Sequence, residues 1–409
     1  MIFADPRTRR LIGAAALLGL FLRLGLAFFY WVDKPLTHDE HEYLTLARNL
    51  AAGNGFVYDS AVESGTAPRF GRAPGYPLFL AALDAGRPVP SSTPAIVKFV
   101  QSFIGAITVW LIGGIALQSA GPRAGVAAAF IAAVYPPLVW IPAYALSEAL
   151  FCLVALLTVA VLQRAADADS QSIGVRLAIV AGVLTGTATF IRPAMLVSLP
   201  LVLVWLAVRR QPARAAALAV ATALVIFPWT LRNLRVHDRF VLVASEGGVT
   251  FWTGNNALAR GEGDLAANPD LKRAELEFRQ GYPGLSAEEL EPLYYRAAFQ
   301  WIADHPIQWM TLLARKAFYT VVPIGPSYAI HSAKYRIASV VPYALILPFA
   351  VMGAGRLWRS PRRPTALFLL AGSTVLMCLV FFPQERFRIP VIDPTLIIAA
   401  AALAGRSEL

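Results

Sequence analysis

The sequence predicts an all-α, polytopic integral membrane protein, and three observations predict it. Hydrophobic residues make up 57% of the 409 residues and charged ones only 15%, with a mean hydropathy of +0.57, too apolar for a soluble chain of this length. The apolar residues gather in ten runs long enough, or nearly so, to cross a bilayer,. Short arginine clusters separate alternate pairs of runs, the charge asymmetry of cytoplasmic loops. The net charge of +11 therefore records topology rather than a nucleic-acid groove, and no nucleic-acid partner is expected,. Cys152 and Cys378 both lie inside apolar runs, so no disulfide is expected,.

Arg7, Arg9 and Arg10 precede the first run, Leu11–Val32. The run is long for a signal peptide and no small-residue cleavage site follows it, so it reads as a membrane helix with a cytoplasmic N-terminus. Residues 33–95 then form a first external loop. Within it, Thr37 and Glu40 make a capping-box pattern, and Tyr43, Leu46, Ala47 and Leu50 recur at helical spacing,. The expected product is a short helix lying on the membrane face with His38, Asp39, Glu40, His41 and Glu42 at its start,. Gly53, Asn54 and Gly55 stop it, and Arg69 and Arg72 lead into a Pro74–Pro77 turn,.

The next runs alternate: Ile96–Leu117, Ala124–Ile141, Ala143–Leu162, Leu177–Ile191, Ala194–Val208 and Ala215–Leu231. Each inward passage ends on Arg123, on Arg164 and Arg176, or on Arg209, Arg210 and Arg214. Residues 1–231 thus form one transmembrane module. Residues 232–336 are more polar and are expected to be an external domain, with a turn at Gly254–Asp264 and a surface helix over Glu288–Asp304,. Pro306–Val322 carries Arg315 and Lys316 in its middle and reads as an interfacial helix. Residues 337–409 hold the last spans, Ile337–Gly355, Thr365–Phe382 and Ile389–Leu403.

Charges in apolar surroundings mark the candidate site. Acids at a helix start ordinarily do no more than cap it, yet Asp39 and Glu40 sit at a low-dielectric boundary, where a carboxylate can be tuned as a base. Glu148, in SEALF, opens the fourth span, where a charge is costly,. Arg192 in FIRPAM and Arg386 and Arg388 in PQERFRIP lie at outer span ends, contrary to the positive-inside bias,. Any one of them could meet lipid headgroups; together with Arg69 and Arg72 they read as a pocket for an anionic group such as phosphate. A divalent metal held by His38, Asp39, His41 and Glu42 is the weaker reading, because the spacing matches no closed-site signature. No cofactor is called for.

The segments DEHEYLTLARNL, RAPGYPLFLAAL, SEALF, FIRPAM, FPWTLRN, GGVTFWTGNN and ERFRIPVIDP, in that order, resemble the bacterial glycosyltransferases of the GT-C fold grouped with protein O-mannosyltransferases and the lipid A aminoarabinose transferase. The resemblance implies about ten transmembrane helices with juxtamembrane periplasmic helices, in the bacterial inner membrane. It implies inverting transfer of a sugar from a polyprenyl-phosphate donor, on the periplasmic face, to a hydroxyl of lipid A, another glycan, a lipid or a protein. Asp39 inherits the role of base, with Glu40 and Glu148 as its acidic companions. Arg72 inherits the lipid phosphate, and Arg69, Tyr76, Arg192, Arg386 and Arg388 join it. His41, Asn255, Asn256 and Glu385 are left for the acceptor side. The aminoarabinose transferase carries an acid just before its basic residue at this turn; here that place is Gly71.

Physical chemistry reaches the same class independently. Nucleotide sugars are cytosolic, so a transferase whose acids face outward needs a sugar carried across on a membrane lipid. A phosphate leaving group needs neutralising charge rather than an acid, and arginines supply it; a hydroxyl acceptor needs a base. The alternatives are a lipid-linked-oligosaccharide flippase or transporter, which would want charges near the bilayer midplane and repeat symmetry, and an O-antigen ligase or polymerase.

Overall fold

The computed structural model describes residues 5–58, 71–86, 90–322, 324–326 and 331–405. Its elements follow from hydrophobic runs punctuated by proline. Helix α1 (Pro6–Gly25) starts where the Asp5 carboxylate accepts the N–H groups of Arg7 and Thr8, with Pro6 in the first turn,. After it come α2 (His38–Ala51), α3 (Gly75–Ala82), α4 (Ala95–Ala120), α5 (Pro122–Val134) and α6 (Pro136–Trp140). Next are α7 (Glu148–Asp167), α8 (Gln171–Ile191), α9 (Ser198–Val208) and α10 (Pro212–His237). The more polar stretch holds α11 (Gly247–Gly254), α12 (Pro269–Gln280), α13 (Ala287–Asp304) and α14 (Pro306–Val321). The chain closes with α15 (Ala333–Arg359), α16 (Thr365–Val380), α17 (Glu385–Arg388) and α18 (Ile392–Ala401). Among the described residues there is no strand, only an isolated bridge between Pro35 and Ser92.

Among the described residues, six helices are long and apolar enough to cross a membrane, or seven when Pro122–Val134 and Pro136–Ala143 count as one span bent by 62°. Pro193–Val208, Thr365–Val380 and Ile392–Ala404 are shorter apolar helices, so every expected apolar run is helical. A 16-residue helix is about 24 Å long, short of the roughly 30 Å hydrocarbon layer. In these short passages the polar turns therefore begin before a full bilayer thickness has been crossed.

The bend has an identifiable cause. Pro136 and Pro137 lack the N–H groups that would bond Ala132 O and Ala133 O. The guanidinium of Arg23, 1% exposed, turns to both carbonyls at 3.5 Å and to Gly19 O at 2.8 Å. A charge inside the first span is thus held by carbonyls that the prolines set free. On the bundle's outside, Phe21, Phe29, Leu224, Phe227, Leu345 and Phe349 are more than half exposed. In a soluble protein that surface would aggregate; here it faces lipid.

The polar stretch is helical and built on its own small core of Phe251, Trp252, Leu271, Leu290, Tyr294 and Ala298. Helix α10 runs on to His237, six residues beyond the expected end of its span, and carries the chain out to this core. Helix α13 begins with a full capping box, Ser286 with Glu289,. Helix α14 buries Leu312, Lys316 and Thr320 and leaves Ile307, Met310, Phe318 and Val321 exposed, the pattern of a helix lying along a membrane surface.

Candidate functional site

The expected capping box is present at the start of α2. Thr37 Oγ1 accepts the Glu40 N–H, and Glu40 Oε2 accepts the Thr37 N–H at 2.9 Å. The other Glu40 oxygen accepts the Thr93 hydroxyl at 2.7 Å and the Ala145 N–H at 2.8 Å. Glu40 is 1% exposed. Its carboxylate is thereby consumed in tying α2 to the approach to α4 and to the segment leading into Glu148. Fixed in this way, α2 presents the preceding residue, Asp39, toward a group of arginines.

Distant parts of the chain supply that group and its counter-ions. The loop before α3 supplies Arg72; the Pro74–Pro77 stretch, expected as a turn, begins that helix. Gly75 lets α3 start against the end of α8, since a Cβ there would lie 2.7 Å from Phe190 C and O. Arg192 ends α8, because Pro193 forbids continuation and holds the preceding residue extended,. Glu148 opens α7. Arg386 comes from α17, the single helical turn that interrupts the chain between α16 and α18.

Asp39 is bracketed. Its Oδ1 lies 2.5 Å from Arg72 Nη2, and its Oδ2 pairs with Arg386 Nη1. Arg72 also meets Glu42 at 2.5 Å and Glu246 at 3.3 Å, and its guanidinium lies over the Tyr43 ring. Arg192 pairs with Glu148 at 2.7 Å, and Arg386 is 3.9 Å from the same oxygen. The Phe387 ring sits between Arg192 and Arg386, its centroid 5.0 and 5.5 Å from their guanidinium carbons. Three guanidinium groups thus meet four carboxylates.

Burial would raise the Asp39 carboxyl, but Arg386 and Arg72 outweigh it and hold it well below the ordinary carboxylate value,. Arg72 and Arg386 are pushed the other way: burial opposes their charge, and the surrounding carboxylates more than restore it. Glu246 moves upward, because burial and the neighbouring Glu42 and Asp39 exceed the pull of Arg72.

Asp39, Glu148, Arg72, Arg192 and Arg386 are therefore brought together as expected. Other candidates go elsewhere. Arg388 turns inward to a buried pair with Asp393 at 2.9 Å, over the Tyr343 ring. Tyr76 is fully buried, donates to Gln101 at 3.1 Å and packs its ring against Tyr43, one layer behind Arg72. Asn255 accepts from Trp309 and Lys316, and Asn256 folds back on Trp252 O; both close the end of α11. Glu385 lines a small cavity of mixed character with Glu262, Thr320, Cys378, Arg388 and Ile392. His41 is exposed on α2, and Arg69 lies outside the described residues. Among the described residues no group of three His, Cys, Asp or Glu side chains is placed to hold a metal ion.

Glu246 and Phe387 take places that the sequence assigned to no one, and Glu42, expected only as an acid at the helix start or a metal candidate, serves instead as a partner of Arg72. Glu246 precedes α11, and a Cβ at Gly71 would lie 2.5 Å from its carboxylate. The acid beside Arg72 thus arrives through space, from the polar stretch after α10, rather than from the preceding residue. Only tertiary packing reveals it.

No family model and no curated protein matches the sequence. Among solved structures, the Archaeoglobus fulgidus oligosaccharyltransferase tethered to an acceptor peptide aligns at a TM-score of 0.59 and 13% identity, over 97% of this chain and 49% of that one. The Archaeoglobus fulgidus oligosaccharyltransferase AglB, in complex with an inhibitory peptide and a dolichol-phosphate, aligns at 0.56 and 14%, over 98% and 50%. ArnT from Cupriavidus metallidurans bound to undecaprenyl phosphate aligns at a TM-score of only 0.42 and 14% identity, over 97% of this chain and 77% of that one. This chain spans about half the length of the oligosaccharyltransferase. The likeness shows the GT-C fold, in a multi-pass membrane protein.

Proposed function

We propose that this protein is a membrane glycosyltransferase that moves a sugar from a polyprenyl-phosphate donor to an acceptor hydroxyl. The observation that carries the reading is Asp39, whose two oxygens each face a guanidinium from a distant part of the chain, Arg72 and Arg386. A base and a phosphate cradle in one place are what displacement at an anomeric carbon needs.

In this reading the acceptor oxygen attacks the anomeric carbon in line and with inversion. The bond to the phosphate oxygen breaks and carries its electron pair onto the phosphate. Asp39 takes the acceptor's proton, while Arg72 and Arg386, with Arg192 beside them, neutralise the departing charge. An Asp39 held by two arginines is a weak base. The donor phosphate is proposed to draw both guanidinium groups onto itself, and burial then raises the basicity of Asp39. The base is thus active only once the donor is seated. Glu148 holds Arg192, and Glu40 supports Asp39 from behind.

The site lies at the end of the bundle opposite Arg123, Arg164, Arg176, Arg209, Arg210 and the basic run 356–363, since α7 starts and α8 ends there. The positive-inside rule makes the basic end cytoplasmic, so the site is proposed to be periplasmic in a bacterial inner membrane. Acceptors in keeping with this are lipid A, other glycans, lipids or proteins.

Proteoliposomes carrying a radiolabelled polyprenyl-phosphate sugar test the proposal. Wild-type protein is expected to transfer label, and Asp39→Asn to lose at least about a hundredfold in rate while still binding donor. Lipid moved across the bilayer with no new bond would make it a flippase. Use of diphosphate donors only would make it a ligase or polymerase.

A further inference from the structure

We infer that Glu42 and Glu246 are positioning residues that hold Arg72 ready and yield it to the donor's anionic group. The inference rests on the polyprenyl-phosphate reading above.

Arg72 is one positive charge shared by three carboxylates from two helix starts: Asp39 at 2.5 Å, Glu42 at 2.5 Å and Glu246 at 3.3 Å. Its planar fork of N–H groups suits a phosphate bidentately, and those N–H groups face carboxylates. A phosphate entering the site must displace something. Asp39 is also held by Arg386, and Glu148, only 2% exposed, is locked against Arg192. Glu42 and Glu246 are the accessible members, with side chains 26% and 38% exposed.

Both have somewhere to go. Glu42 Oε1 already lies 3.4 Å from His38 Nε2, one turn back on α2, and His38 stands 87% exposed. Glu42 can exchange Arg72 for this neighbour with a small rotation. Glu246 stands at the start of α11 with its side chain 38% exposed, so a rotation about that open stem can carry its enclosed carboxylate out to water. The pair therefore supports Arg72 while the site waits and lowers the affinity with which the phosphate is later held. The second effect matters for turnover, since the product is a polyprenyl phosphate that must leave the same arginine.

Equilibrium binding of undecaprenyl phosphate to the full-length protein in nanodiscs tests this, with wild type, Glu42→Gln, Glu246→Gln and Glu246→Asp. Each Gln variant is expected to bind about three- to fivefold more tightly, the loss of one partly exposed competing ion pair, and Glu246→Asp to return to wild-type affinity. In turnover both the donor KM and kcat should fall for the Gln variants. A merely structural carboxylate would give the opposite sign, weaker binding, because Arg72 would lose its support. Unchanged or weaker binding by both Gln variants, with wild type binding normally, overturns the inference and leaves the donor reading standing. No binding by wild type overturns both. Should one variant fail to fold, the other carries the same comparison.

Discussion

Glu40 accepts the Ala145 N–H at 2.8 Å, a hydrogen bond that fastens α2 to the segment leading into Glu148. The same oxygen takes the Thr93 hydroxyl at 2.7 Å, and the other closes the cap on Thr37. The residue after the proposed base is thus a strut. Glu40→Gln would point an NH2 group at one of these donors, at an expected cost of about 1–3 kcal/mol. Thermal unfolding in detergent should show the loss, and transfer should fall with it. Transfer lost at an unchanged Tm would instead give Glu40 a part in the chemistry.

Glu148 and Arg192 form the most enclosed pair of the site, 2.7 Å apart with the acid 2% exposed. Breaking such a pair from one side leaves a desolvated charge, at about 3–5 kcal/mol. Glu148→Ala should therefore lower the Tm sharply. Joining Glu148→Leu to Arg192→Met should recover much of the stability, since an apolar pair of similar volume removes both charges. Transfer should stay lost in the double variant, because the cradle has one arginine fewer. A double variant no more stable than the single one would show that the pair is not desolvated in the membrane.

What could be read beforehand follows one rule. Apolar runs, the Thr37–Glu40 cap and the isolated charges Glu148, Arg192 and Arg386 each announce themselves locally, by composition or by spacing along one helix. Lipid demands long apolar segments, and a charge among them stands out. The misplaced residues all depend on direction. Arg386 and Arg388 are two apart, so about 200° separates them around a helical turn, and one faces Asp39 while the other faces Asp393. Asn255 and Asn256 spend their amides at the end of α11. Glu246 reaches Arg72 only because the polar stretch after α10 folds back against the loop before α3. No periodicity in the sequence encodes that return.

Asp39 and Glu246 should give opposite pH signatures. Asp39 is held below its ordinary value of 3.8 by Arg386 and Arg72 despite its burial. Its stabilisation is fully present above that value and is lost only as pH falls through the lower folded one. Glu246 is raised above its ordinary value of 4.5, chiefly by burial. The folded state then keeps a proton that the unfolded chain has released. Ionised Glu246 costs stability above its folded value, and the cost fades as pH falls toward 4.5. Glu246→Gln should thus have the higher Tm at pH 8, with the gap closing toward pH 4.5, whereas the gap between wild type and Asp39→Asn stays level over that range. A Glu246→Gln advantage that widened on acidification would contradict the assignment.

The sharpest separation of support from chemistry lies in α17. Arg388, 4% exposed, pairs with Asp393 between α17 and α18, where the acid's side chain is fully buried. Arg386, 31% exposed, pairs with Asp39. Arg388→Ala would leave Asp393 as an uncompensated charge in the bundle and should cost about 3–5 kcal/mol of stability. The protein that remains folded should bind donor normally. Arg386→Ala removes a guanidinium from the more open side, where Asp39 keeps Arg72 as a partner, so the loss of Tm should be clearly smaller than in Arg388→Ala. The leaving phosphate would lose part of its neutralisation, and transfer should drop by about a hundredfold or more. Measuring both variants for Tm and for transfer makes each the control for the other. If Arg386→Ala lost stability and kept its rate, the phosphate would have to be held by Arg72 and Arg192 alone, and the bracket around Asp39 would be architecture.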